Sequence, residues 1–159
     1  MKVNFKRVTD WYSETASRRK YILGAMKRAN YTLLGEGRMR ITFLAPHKRF
    51  VLKLPLSERG QSASAREAEL WAKYQWKPIW DGTVIAPCRM IGGVMLMMRT
   101  VVELYGYTEG CRKGRQILPN FDLSHRDGRM PNWAHKIDCM QVGRLANGKL
   151  VAYDYGSNL

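Results

Sequence analysis

The run RFVLKLP, residues 49–55, puts a lysine in the middle of an apolar strand. Phe50, Val51, Leu52 and Leu54 favour a pleated, buried segment. An ammonium group in such a place loses its hydration and needs an anion in return. Any fold for this chain therefore has to bring a negative charge to Lys53. The next segment, SASAREAELWAKYQW, has helical periodicity, with Leu70, Trp71 and Tyr74 on its inner side, and it carries Glu67 and Glu69. Glu67 has two competing uses. It is the nearer partner for Lys53, with Glu69 in reserve, and it also completes Ser64-x-x-Glu67, the pattern of a capping box at a helix start.

The segments around this pair set the fold class. YTLLGEG and RITFLAP read as strands joined by Gly35-Glu36-Gly37, and Pro46-His47-Lys48 turns the chain into the lysine strand. TVIAPCRMIGGVMLMMRTVV supplies two more strands around Gly92-Gly93. Residues 105–136 are rich in Gly, Pro, Arg and Asn and only weakly periodic, and MQVGRLANGKLVAYD reads as a hairpin turning at Asn147-Gly148. Ahead of all this, residues 10–29 read as an amphipathic helix. Tyr12, Ala16, Ile22, Leu23 and Met26 fall near one face, and Arg18, Arg19, Lys20, Lys27 and Arg28 fall largely elsewhere. Asp10 or Ser13 would cap it, and Asn30 lies at its end. The order helix, three strands, helix, two strands, irregular stretch, hairpin is that of an α+β protein with a mostly antiparallel sheet.

Composition narrows the function classes. An apolar fraction of 45% in 159 residues, with 5 Trp, 8 Tyr and 4 Phe, is enough for one domain or two small lobes around a cleft. A charged fraction of 25% without low-complexity tracts argues against disorder. No stretch has the length of a membrane span, and the start MKVNFKRVTDW is not a signal peptide, so the expected place is a cytoplasm with no membrane partner. Cys88, Cys111 and Cys139 lack disulfide or CxxC spacing and read as reduced thiols. His135 and Cys139 have helical ligand spacing, but no second pair accompanies them, so zinc is not expected. The net charge of +14 points to polyanions or an acidic protein surface, and the solubility of a small basic protein accounts for it as well.

Gly35 and Gly37 leave the backbone free to approach a phosphate closely. Together with Lys53 and the following helix, they make residues 31–156 resemble the protein-kinase fold. LGEGRMRITF looks like the glycine-rich loop, FVLK like the strand with the phosphate-binding lysine, and AREAELW like the helix with its glutamate. GGVMLMMRTV is similar to the strand running into the adenine-holding hinge, and DYG resembles the metal-binding Asp-x-Gly triplet. The resemblance implies an antiparallel small-lobe sheet with one packed helix, a reduced large lobe and an extra N-terminal helix. Its domains would be 1–30, a basic helix; 31–104, the small lobe and hinge; and 105–159, the reduced large lobe. It further implies ATP and Mg2+, with Gly35, Gly37, Lys53, Glu67 and Met98 at the nucleotide and Asp154 on the metal. Arg40 departs from the pattern, standing where a third glycine is usual.

The catalytic loop has two registers. HRDGRMPN matches the family's His-Arg-Asp and later Asn, which makes Asp127 the base and Asn132 a metal ligand. Asn132 lies farther from Asp154 than the family's spacing. Gln141 lies at that spacing and is the better metal ligand on geometry, but the base position then falls on Lys136, with Asp138 close by. Outside the kinase frame, Asp127-Gly128 is a surface turn. In the family the Asp-x-Gly triplet leads into an activation segment and a helical large lobe, whereas here only Tyr155 to Leu159 follow Asp154. The implied protein is a truncated one of a kind bacteriophages encode, acting in a host cytoplasm.

The expected function is binding of a magnesium nucleotide by a minimal kinase-like protein, a pseudokinase or highly restricted kinase. The alternative is a basic modulator of an acidic host protein, using the N-terminal helix with Arg112, Lys113, Arg115, Arg126 and Arg129. Nucleic-acid binding through the same surface ranks third, since the basic residues of that helix lack interleaved aromatics.

Overall fold

A computed structural model describes residues 3–78, 84–101 and 142–153. Asp127, Asn132, Asp138, Gln141 and Asp154 lie outside the described residues, as do Lys136, His135 and Cys139 and the basic stretch from Arg112 to Arg129. The chain forms two compact units, one of residues 1–69 and 88–100, the other of residues 70–87 and 101–159.

The first unit begins with a short helix α1, Phe5–Val8, capped by Asn4, whose Oδ1 accepts from the Arg7 N–H at 3.4 Å. Helix α2 runs Thr15–Arg28 and buries Ile22, Ala25 and Met26 at helical spacing. Its start differs from the sequence expectation. Glu14 stands at the N-cap without a side-chain cap, and the Ser13 hydroxyl instead donates to the Asp10 carbonyl at 2.9 Å. The order at this end comes from Arg18, which is buried and not on the solvent face. Pointing back toward the helix start, its guanidinium donates to the carbonyls of Asp10, Ser13 and Leu56. Tyr12 precedes the helix and is fully exposed, and Ala16 is exposed too, so neither belongs to the core face. At the other end Asn30 takes a left-handed φ of 59°, its N–H bonding Lys27 O and that of Tyr31 bonding Met26 O. These are the two bonds of a Schellman stop.

Five antiparallel strands follow, in the spatial order β1-β2-β3-β6-β5: β1 Thr32–Glu36, β2 Arg40–Leu44, β3 Phe50–Pro55, β5 Cys88–Ile91 and β6 Met95–Arg99. Side chains alternate between the two faces of such a sheet. Ile41, Phe43, Leu52, Leu54 and Met95 share one face and form a single core with Val8, Ile22 and Met26 of α1 and α2. Register puts Thr42, Leu96 and Met98 on the opposite face with Lys53. At the β5–β6 turn Gly92 and Gly93 both have positive φ, and a Cβ on Gly92 would lie 2.2 Å from the Phe5 ring. Only glycine fits there.

Two boundaries moved from where the sequence placed them. Gly35 is inside β1, paired with Thr42 beyond a bulge after Leu33, so the turn falls on Gly37, Arg38 and Met39, closed by Gly37 N–H on Arg40 O at 2.8 Å. Helix α3 runs Glu58–Tyr74 and starts well before Ser64. Ser57 caps it, accepting from Gly60 N–H at 3.3 Å, so the Ser64-x-x-Glu67 capping box does not form. Gly60 has to be small, because a Cβ there would lie 2.1 Å from the Met39 carbonyl oxygen.

In the second unit β4, Val84–Ile85, pairs in parallel with β8, Leu150–Ala152, and β7, Val142–Arg144, pairs antiparallel with β8. TVIAP thus contributes a strand of its own, and Pro87, which has no N–H to give, separates it from β5. Gly148, at φ 79°, makes the expected hairpin turn, helped by Asn147 Oδ1 accepting from Lys149 N–H at 3.1 Å. The whole is an α+β fold dominated by an antiparallel sheet. No helix among the described residues is long and apolar enough to cross a membrane.

Candidate functional site: a buried carboxylate with two cations

Lys53 enters from the centre of β3, flanked across the sheet by Thr42 and Leu96. It is 5% exposed, and Glu67, reaching down from α3, is 0% exposed. The Lys53 ammonium lies 3.1 Å from Glu67 Oε2 and 3.4 Å from Oε1. The anion that the strand demanded is therefore Glu67. Glu69 is exposed and pairs with Arg66 at 3.3 Å. Helix geometry accounts for the choice, since Ala63, Glu67 and Leu70 fall on one buried stripe and Glu69 falls off it.

Arg40 is the residue the sequence did not assign. It stands at the start of β2, 7% exposed, and its Nη1 donates to Glu67 Oε1 at 2.5 Å and approaches Ser64 Oγ at 3.5 Å. A planar guanidinium and a lysine thus share one buried carboxylate, so the charges on β2, β3 and α3 are interlocked. The signal was present as the position where the glycine pattern breaks.

The Gly37–Met39 turn is held from two sides. Leu56 N–H donates to Met39 O at 2.7 Å, and Gly60 lets the first turn of α3 lie against that same carbonyl. On the other side Glu36 accepts from Arg19 Nε with both oxygens, at 2.6 and 2.8 Å. This bond to Arg19 holds the Glu36 carboxyl below its ordinary value and raises the Arg19 guanidinium. The glycines themselves are not demanded by packing. A Cβ at Gly35 would meet nothing within 4 Å, and one at Gly37 only Arg40 O at 3.7 Å. Neither has a positive φ.

Met98 lies on β6 opposite Val51, on the same sheet face as Lys53, and is buried. Among the described residues no group of three or more His, Cys, Asp or Glu side chains is placed to hold a metal. Asp154, expected on the metal, follows β8 by two residues and lies outside the described residues, with Gln141, Asn132, Asp127 and Asp138.

No protein-family model and no curated protein matches this chain. Among solved structures it is similar to the ternary complex of APH(2")-IIa with streptomycin and ATP, at 13% identity and a TM-score of 0.49, covering 91% of this chain and 71% of that one. It is also similar to the GDP and kanamycin complex of APH(2")-IIia, at 17% identity and a TM-score of 0.44, covering 69% of this chain and 40% of that one.

Proposed function

We propose that this chain binds a nucleotide in the manner of the kinase-like proteins its sequence resembles. The observation that carries the reading is the Lys53–Glu67 ion pair between the third strand and the helix after it. Burying this pair is costly for stability alone, because two desolvated ions rarely outperform packed apolar side chains. It is well suited to holding a lysine in one position for a phosphate. Gly35 supports the reading, since the space beside its backbone is open although nothing in the fold requires a glycine there. Lys53 would contact the phosphates, Gly35 and Gly37 would let the backbone approach them, and Met98 would contact the base.

Mg2+ would be held by Asp154 with Gln141 or Asn132, and a bound divalent ion would neutralise phosphate charge. Binding without general protein-kinase activity, or transfer to a narrow class of acceptor with Asp127 or Asp138 as base, is the finer form of the proposal. Thermal unfolding with and without Mg-ATP tests it. Ligand at a hundred times its Kd stabilises by about 2.7 kcal/mol, which is about 5–11 °C at this size. Lys53→Ala and Asp154→Asn should lose the shift. No shift in the wild type at millimolar Mg-ATP refutes the reading.

A second reading, an acidic protein partner, is favoured by the exposed Lys20, Lys27 and Arg28 of α2 and the net charge of +14. Its basic face is smaller than the sequence suggested, because Arg18 is buried and Arg19 is neutralised by Glu36. A partner retained equally by wild type and Lys53→Ala would support it, and loss of the partner in Lys53→Ala would count against it.

A further inference from the structure

The end of α3 carries an aromatic and basic alternation that the nucleotide reading does not use: Trp71, Lys73, Tyr74, Trp76 and Lys77. Trp76 comes just after the helix, at φ 59°. This is the left-handed position that ends helices and ordinarily belongs to glycine, and a bulky side chain there is strained. The backbone at this point is a regular stop, with Gln75 N–H on Trp71 O at 2.8 Å and Lys77 N–H on Tyr74 O at 2.7 Å. A glycine would serve the turn better. The indole in its place is 45% exposed and meets the Trp71 ring edge-on, with centroids 5.1 Å apart. Lys149, from the β7–β8 turn, sets its ammonium 4.8 Å from the Trp76 ring centroid, and Lys73 lies 5.4 Å from that of Tyr74. Lys73 and Lys77 are exposed.

We propose that this cluster in the second unit is a binding platform for single-stranded nucleic acid, with a base stacking on Trp76 and the lysines taking the adjoining phosphates. Aromatic faces interleaved with cations are what a flexible polyanion with exposed π-faces needs, and such stacking tolerates any base. The charge of +14 supplies attraction of the right sign. A duplex hides its base faces, so it would engage the lysines alone. An anionic membrane surface fits less well. It calls for a contiguous apolar face, and among the described residues of this unit Trp76 is the one large hydrophobic side chain exposed. Stacking also accounts for a tryptophan at a left-handed φ that favours glycine.

The test is fluorescence anisotropy of a labelled oligodeoxythymidine of about 16 nucleotides with the full chain, titrated at several salt concentrations. The expected result is binding that weakens with salt, with a log–log slope of about −0.7 per phosphate neutralised. Trp76→Gly should lower affinity at least about fivefold while leaving the unfolding temperature equal or higher. Lys149→Ala should reduce the salt slope by about one phosphate's share. Tyr12→Ala, an exposed aromatic of the other unit, should change nothing. Should Trp76→Gly fail to fold, the Lys149→Ala slope decides. The proposal is overturned if the oligonucleotide does not bind at low salt, or if a duplex of the same length binds as tightly. Affinity indifferent to both variants overturns it too, as does a preference for phosphatidylserine vesicles over the oligonucleotide.

Discussion

Replacing Glu67 by alanine removes a carboxylate shared by two buried cations. Glu67 is fully buried, and its partners are the Lys53 ammonium at 3.1 Å and the Arg40 guanidinium at 2.5 Å, themselves 5% and 7% exposed. Breaking a buried ion pair from one side costs about 3–5 kcal/mol, because the remaining charge stays desolvated without its partner. Here two buried cations on neighbouring strands lose the same carboxylate at once, so the upper half of that range is expected. A domain of ordinary stability has about 5–15 kcal/mol in all, so the loss removes a large share of it. It corresponds to a fall in Tm of about 8–20 °C at this chain length. Arg40→Met or Lys53→Met should each cost less, since Glu67 then keeps a cation. Urea unfolding followed by far-UV circular dichroism measures all three, with a constant m value as the sign that the same surface is exposed. If Glu67→Ala lies within about 1 kcal/mol of wild type, or costs less than either cation's removal, the reasoning about a shared buried carboxylate is wrong.

Gly60→Ala would put a Cβ at 2.1 Å from Met39 O, so α3 or the glycine turn must move. A destabilisation of about 1–3 kcal/mol and weaker nucleotide binding are expected, read by urea unfolding and by calorimetric titration with Mg-ATP. The Arg19–Glu36 pair should show in acid. Glu36 titrates below its ordinary 4.5 in the folded chain, so the stability it adds is present above that pH and is lost as pH falls through the folded value. Arg19→Ala should lower Tm slightly at neutral pH, as befits an exposed pair, and the difference from wild type should vanish as pH falls through the folded value of Glu36. Gly92→Ala would meet both the Phe5 ring and an unfavourable φ of +60°, so it should lower Tm and expose Phe5 to faster proton exchange in the α1 segment.

The parts of this fold that were legible in the sequence are those set by local chemistry. Lys53 in an apolar strand demanded an anion and found it in Glu67, and Asn147-Gly148 and Gly92-Gly93 turn where such dipeptides turn. What was not legible depends on distant neighbours. The helix reads from the sequence as beginning at Ser62, yet Arg59, Gly60 and Gln61 lie in the first turn of α3, where Gly60 admits the Met39 carbonyl. Gly35-Glu36-Gly37 reads as a tight turn, but pairing with β2 draws Gly35 and Glu36 into the strand. Arg18 looks like a solvent residue and is buried because three carbonyls, one of them Leu56 O far along the chain, converge on it. The parallel pairing of β4 with β8 joins segments whose separation leaves no local trace.

The most direct test of the central claim asks whether Lys53 stands at a nucleotide's phosphates. An ATP derivative acylated on its terminal phosphate transfers the acyl group to a lysine amine held beside that phosphate, forming an amide and releasing ATP. Peptide mapping by mass spectrometry then reads which lysine was modified. The account predicts Lys53 as the principal site, suppressed by excess Mg-ATP, even though Lys20, Lys27 and Lys73 are far more exposed. Labelling spread over those exposed lysines and insensitive to Mg-ATP, with Lys53 untouched, would contradict it.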